Sequence, residues 1–125
     1  MARINIGEKL DVVVVTFKDA KILDESVIRE IGVDFDKLTL EAAGDRKLLL
    51  SFAQVSFMSS AMLGKIMKLA KQAKNDKIDL KLCDIAPEIM EVFKITRLDK
   101  VLDIQKTEAG ALEAFGAPRK SWLGR

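Results

Sequence analysis

The sequence predicts a single α/β domain, built on a single-layer, largely parallel but mixed β-sheet of four to five strands that carries about four helices. Two observations lead there. The runs Val12 to Phe17 and Lys47 to Phe52 are too brief for stable helices and too continuously apolar for strands with one wet face. Between and after them come longer stretches whose apolar residues recur at helical spacing, and strands alternating with such helices pair in parallel through right-handed crossovers. The 125 residues, 49% hydrophobic and 32% charged, suit one globular domain, with no internal repeat, linker or low-complexity segment.

Each element has its own signal. Arg3 to Ile6 alternates polar and apolar residues and, across Gly7 to Leu10, precedes the valine run as the first strand of a hairpin would. Asp24 or Ser26 can cap a first helix from Glu25 to about Ala43, with Val27, Ile28, Ile31, Val33, Phe35, Leu38 and Leu40 as its apolar residues, on one helical face from Val27 to Leu38. Gly44 and Asp45 supply a break before the strand at Lys47. A second helix starts near Ser60, where Met62, Leu63, Ile66, Met67, Ala70 and Ala73 form a stripe, and Asn75 and Asp76 close it. Ile78, Leu80 and Leu82 alternate with Asp79 and Lys81, which predicts an edge or half-covered strand. Pro87 opens a third helix with Ile89, Val92 and Phe93 inward. Leu98 to Ile104 returns as a connection and short strand, and Thr107 caps a last helix with Leu112 and Phe115 inward. The domain is expected to span residues 1–117, with a tail at 118–125.

Several chemistries are set aside by composition. The chain contains no histidine, so the commonest general base and every Ser-His or Cys-His pair are missing, and no catalytic residue is assigned. Its 21 basic and 19 acidic residues are interspersed, which leaves no field for nucleic acid; Lys65, Lys68, Lys71 and Lys74 read as the solvated face of the second helix. Asp34 and Asp36 read as surface acids, and no metal or cofactor is expected. Cys83, the only cysteine, sits among Leu80, Leu82 and Ile85 as a buried thiol and suits an intracellular protein. Met1 to Lys9 lacks an apolar export segment, and no apolar run approaches the roughly 20 residues of a membrane span, so a cytoplasmic protein without membrane contact is expected.

One segment stands apart: in Val55 to Gly64, Ser56, Ser59 and Ser60 lie among apolar residues where the second helix begins. Ligands of such sheets gather at the carboxyl ends of the strands, which is where the expected loop Ala53 to Ser59 falls. No glycine occurs in that loop, and Gly64 comes too late for a dinucleotide or P-loop motif. Ser59 or Ser60 can cap the helix with its side-chain oxygen. A hydroxyl there can also accept a phosphate, with Phe57, Met58, Met62 and Leu63 offering apolar surface to a partner.

The segment Leu49 to Gly64, with its Val-Ser-Phe-Met-Ser-Ser-Ala-Met-Leu-Gly end, resembles the STAS family of anti-sigma-factor antagonists, whose pattern is Val-x-Phe-Met-Asp-Ser-Ser-Gly-Leu-Gly after an apolar strand ending in an acid. The order of elements from Val12 to Phe115 is similar as well. The resemblance implies a STAS-like fold and a non-catalytic partner-switching module that binds an anti-sigma factor which is also a serine kinase. It implies phosphorylation at Ser60, with Ser59 the lesser candidate, and a partner surface of Ser56, Phe57, Met58, Ser59, Met62, Leu63, Lys65 and Asp24. Asp24, in Ile22-Leu-Asp24, is similar to an acid of the family near the phosphorylation loop. The sequence departs from the pattern at Ser51, Ser59, Ala61 and Met62, which stand where the family has an acid, aspartate, serine and glycine. A constitutive scaffold or homodimer that is never phosphorylated, and a small-ligand or nucleotide sensor, are the other readings.

Overall fold

The consecutive valines Val12 to Val15 set the centre of the molecule. The computed structural model describes residues 3–42 and 47–116. In chain order its elements are β1 (Ile4–Lys9), β2 (Val12–Phe17), β3 (Lys21–Ile22), α1 (Glu25–Ala42), β4 (Lys47–Ser51), β5 (Phe57–Met58), α2 (Ser60–Asn75), β6 (Asp79–Cys83), α3 (Pro87–Ile95), a 3-10 turn (Leu98–Lys100), β7 (Ile104–Gln105) and α4 (Glu108–Phe115). The main sheet has the order β1-β2-β4-β6-β7, antiparallel between β1 and β2 and parallel elsewhere. This is the mixed sheet and helix set that the sequence predicts. The expected break at Gly44 and Asp45 and the tail at 118–125 fall outside the described residues.

Strand alternation divides the interior in two. Val15, Phe17, Leu48, Leu50, Phe52 and Leu82 face the large core shared with α1, α2 and α3. Val12, Val14, Leu49 and Cys83 face a smaller one closed by Ala111 and Phe115 of α4. A strand buried on both faces has no room for a polar alternation, which is why β2 and β4 read as continuous apolar runs. Leu10 and Asp11, with φ of 49° and 70°, form the two-residue turn between β1 and β2, whose backbone twist matches that of the strands it joins.

Two expectations are corrected here. Val33, expected on the one helical face from Val27 to Leu38, does not face the core: it is 51% exposed, because Ile28, Ile31, Phe35 and Leu38 define the buried face of α1 and Val33 lies about 200° round the helix from Ile31, while Leu40, beyond that face, is 82% exposed. Nor is β6 an edge strand, since β7 pairs beyond it. Its polar position is covered because the Lys81 ammonium lies 5.0 Å from the Phe115 ring centre and reaches Asp103 at 2.6 Å, the stem packing while the charge finds a carboxylate. The strands β3 and β5, which pair in parallel as a separate ribbon, carry no signal in the sequence because two residues show no period.

Helix α2 ends in a left-handed closure. Lys77 has a φ of 59°, Ile78 N–H donates to the Ala73 carbonyl at 2.8 Å and Lys77 N–H to that of Lys74 at 3.4 Å, while Ala73 and Ile78 are both buried. A lysine Cβ is strained there and glycine is not. Lys77→Gly is expected to raise stability by about 0.5–1 kcal/mol, read as a higher urea midpoint at unchanged slope.

Burial pushes the Cys83 thiol up from 9.0 to about 12, helped by the neighbouring Asp84. Folding therefore favours the neutral thiol; its contribution is complete below about pH 9 and is lost as pH rises towards 12. Urea titrations are expected to show stability falling above pH 9, with a shallower fall in Cys83→Ala. Between about pH 6 and 8, where only histidine side chains ordinarily titrate and this chain has none, stability should be flat.

Candidate functional site

Parallel strands end on the same side of a sheet, so the chain leaving β2 and the chain leaving β4 emerge together. Beneath them Phe17 stacks on Phe52 with ring centres 4.8 Å apart, and Phe35 of α1 meets Phe17 edge-on at 6.2 Å. Above this aromatic floor the two chains are laced by backbone bonds. The N–H groups of Ser56 and Phe57 donate to the Ala20 carbonyl at 2.7 and 3.3 Å, and that of Ser59 donates to the Ile22 carbonyl at 3.0 Å. The expected loop Ala53 to Ser59 is thus partly strand, with Lys21 opposite Phe57 and Ile22 opposite Met58.

Ser59 occupies the cap position of α2 in an extended conformation (φ −81°, ψ 167°), and its carbonyl accepts from Met62 and Leu63. Its side chain makes no capping bond: the hydroxyl is turned inward, buried and without a hydrogen-bond partner among the described residues. That corrects the expectation of a serine side-chain cap, since Ser60 is already the first helical residue and points its side chain to solvent. A buried unpaired hydroxyl costs about 1–3 kcal/mol. The site carries that cost.

The remaining candidates separate into lip and floor. Ser56 is exposed and its hydroxyl reaches the Ala20 carbonyl at 3.3 Å. Phe57 is 50% exposed and shares a shallow apolar cleft with Leu63, Ile89, Val92 and Glu88 between β5, α2 and α3. Met62, wholly buried by the phase of α2, belongs to the core and cannot present its surface to a partner, which corrects the expectation for that residue; Met58, at 8% exposure, packs in the core and also lines the cleft beside Phe57. Leu63 is also mostly buried. Lys65 lies a turn further along, half-buried against α1.

Asp24 is exposed two residues beyond Ile22 and caps α1. It accepts from the Ser26 hydroxyl at 2.6 Å and the Ser26 N–H at 2.7 Å, and these bonds hold its carboxyl below the usual range. Sequence reasoning passed over Asp19, in the turn before Ala20. One of its oxygens is buried without a hydrogen bond and sits 4.0 Å from the Arg3 guanidinium. No pattern in the sequence marks it, because its surroundings depend on where Arg3, just before β1, comes to lie. Among the described residues no group of three or more His, Cys, Asp or Glu is placed to hold a metal, and no helix is long and apolar enough to cross a membrane.

A five-stranded mixed sheet with a serine-bearing helix start at the strand ends defines a class of protein by fold and by site together. Residues 4–111 match the family model of the STAS domain, and the chain belongs to that family. It is 28% identical over 91 residues, 73% of each chain, to a Bordetella bronchiseptica protein named as the anti-sigma factor antagonist BtrV. Among solved structures it is similar to an anti-sigma-factor antagonist (STAS) domain protein from Planctomyces limnophilus, with 25% identity, a TM-score of 0.83 and coverage of 91% of this chain and 98% of that one. The phosphorylated form of the Bacillus cell fate determinant SpoIIAA shares the fold at 16% identity, with a TM-score of 0.67 and coverage of 90% and 98%.

Floor and lip are separable by experiment. Met62→Ala is expected to cost about 2–5 kcal/mol in urea unfolding, as for other fully buried side chains. Phe57→Ala, at a half-exposed position, should cost about 1 kcal/mol or less.

Proposed function

We propose that this chain is an anti-sigma-factor antagonist that docks an anti-sigma factor with serine kinase activity through the surface around β5 and the start of α2, and is released when Ser60 is phosphorylated. The observation that carries the reading is the contrast between the two serines: Ser60 is exposed on the first turn of α2, whereas the Ser59 hydroxyl is buried. A kinase must reach an oxygen from solvent, which favours Ser60. The names of the relatives support the partner class.

The physical effect of the modification follows from its place. A phosphate adds a charge of about −1.5 to −2, which the positive end of α2 tolerates within the free protein. In a docked complex the same group meets a desolvated surface beside Phe57 and Ser56, where its bulk and its charge oppose contact. Asp24, held as a carboxylate two residues beyond Ile22 at the same end of the parallel β3–β5 ribbon as Ser60, adds negative potential of the same sign. The reading places the protein in the cytoplasm, where such kinases find ATP.

The test uses the cognate anti-sigma factor and ATP. Intact mass should rise by one phosphate, peptide mapping should place it on Ser60, and Ser60→Asp should bind the anti-sigma factor at least tenfold more weakly than wild type. Absence of phosphate on Ser60 together with wild-type affinity for Ser60→Asp would overturn the reading.

A further inference from the structure

Helices α1 and α2 pack side by side and leave a groove of about 120 Å³ on their outer surface, lined among others by Arg29, Val33, Asp36, Lys65, Lys68 and Leu69. Three cations and one carboxylate face it, and neither Arg29, Lys65 nor Lys68 has an ion-pair partner among the described residues. Lys65 is built into the groove: a Cβ at position 32 would stand 3.2 Å from its Cδ and Cε, so Gly32 is the seat across which its stem lies. Along α1, Arg29, Val33, Asp36 and Leu40 follow one another at spacings of three and four, which aligns them as one stripe. Val33 and Leu40, 51% and 82% exposed, put two apolar side chains on that otherwise charged stripe, Val33 at the groove itself and Leu40 beyond it.

We infer that this face is a second docking surface, and that its occupant is an acidic amphipathic segment of the partner protein. Charge complementarity selects the occupant: the unpaired cations attract carboxylates, while Val33 and Leu40 accept the apolar side of the same segment. The groove is far below the roughly 300–1,000 Å³ of a small-molecule site, which argues against a nucleotide. Helix α2 carries both this groove and the proposed Ser60 interface, and the inference rests on the anti-sigma factor reading.

The experiment compares the full-length chain with Arg29→Glu/Lys68→Glu, Val33→Asp and, as a control on the exposed side of α2 outside the groove, Lys71→Glu, by calorimetry against the cognate anti-sigma factor at two salt concentrations. All substitutions are at exposed positions, and thermal melts check that each variant folds. The double charge reversal should raise Kd at least tenfold and flatten its salt dependence, Val33→Asp should raise Kd at least threefold, and Lys71→Glu should leave it within twofold. Wild-type affinity and salt dependence in both groove variants would overturn the inference while leaving the Ser60 reading in place. An equal loss in Lys71→Glu would also overturn it, by showing a diffuse charge effect. No binding by the wild-type chain would overturn both.

Discussion

The structure depends on one constraint: β2, β4 and β6 run parallel and are covered on both faces. Parallel pairing brings the carboxyl ends of the strands to one side, and double coverage requires that nearly every side chain of β2 and β4 be apolar. The stacked Phe17 and Phe52 close the large core at that side, so the chain segments leaving β2 and β4 start from a fixed platform. From there only a few backbone bonds are needed to lay Ala20 to Ile22 beside Ser56 to Ser59. The geometry at Ser60 is therefore set largely by the sheet beneath it.

This division explains why the serine segment can depart from its family pattern without disturbing the fold. The bonds that hold it come from the N–H groups of Ser56, Phe57 and Ser59, which any residue except proline supplies. Met62 stands where the family pattern has glycine, and the structure absorbs its side chain into the core with no exposure. At Ser59, where the pattern has aspartate, the hydroxyl is buried without a partner. Fold and recognition chemistry are thus carried by different atoms of the same residues, backbone for one and side chain for the other.

The same division decides what was legible in the sequence. Val12 to Phe17 and Lys47 to Phe52 announce buried strands because burial on two faces leaves a local mark, and Thr107 announces its helix because its hydroxyl accepts from Gly110 N–H three residues on. Val33 is apolar but out of phase with Ile28, Ile31, Phe35 and Leu38, and placing it on their face counted composition where phase decides. Lys81 looked like a wet position because its partners, Asp103 and Phe115, lie in later elements. The choice between Ser59 and Ser60 turns on which oxygen is buried, and adjacent identical residues cannot reveal that. The serine segment stood out by its place at the strand ends, whereas the choice of Ser60 as the phosphate acceptor came only through its resemblance to a family.

Helix α2 connects the two surfaces, and its geometry says how they would influence each other. Ser60 and Lys65 are separated along the axis by about 7.5 Å, and Ser60 and Lys68 by about 12 Å. The screening length at physiological ionic strength is about 8 Å. Lys65 also lies about 140° round the helix from Ser60 and Lys68 about 80°, so both ammonium groups stand beyond one screening length of a phosphate on Ser60, which would weaken their attraction for an acidic partner only in part. In the proposed complex the larger effect would stay at the β5 lip, where a phosphate would contact the docked surface with no solvent between them. Release in this scheme combines a short-range clash with a partial loss of long-range attraction. The second component would fade as salt is raised, whereas the first, being steric and desolvating, would persist.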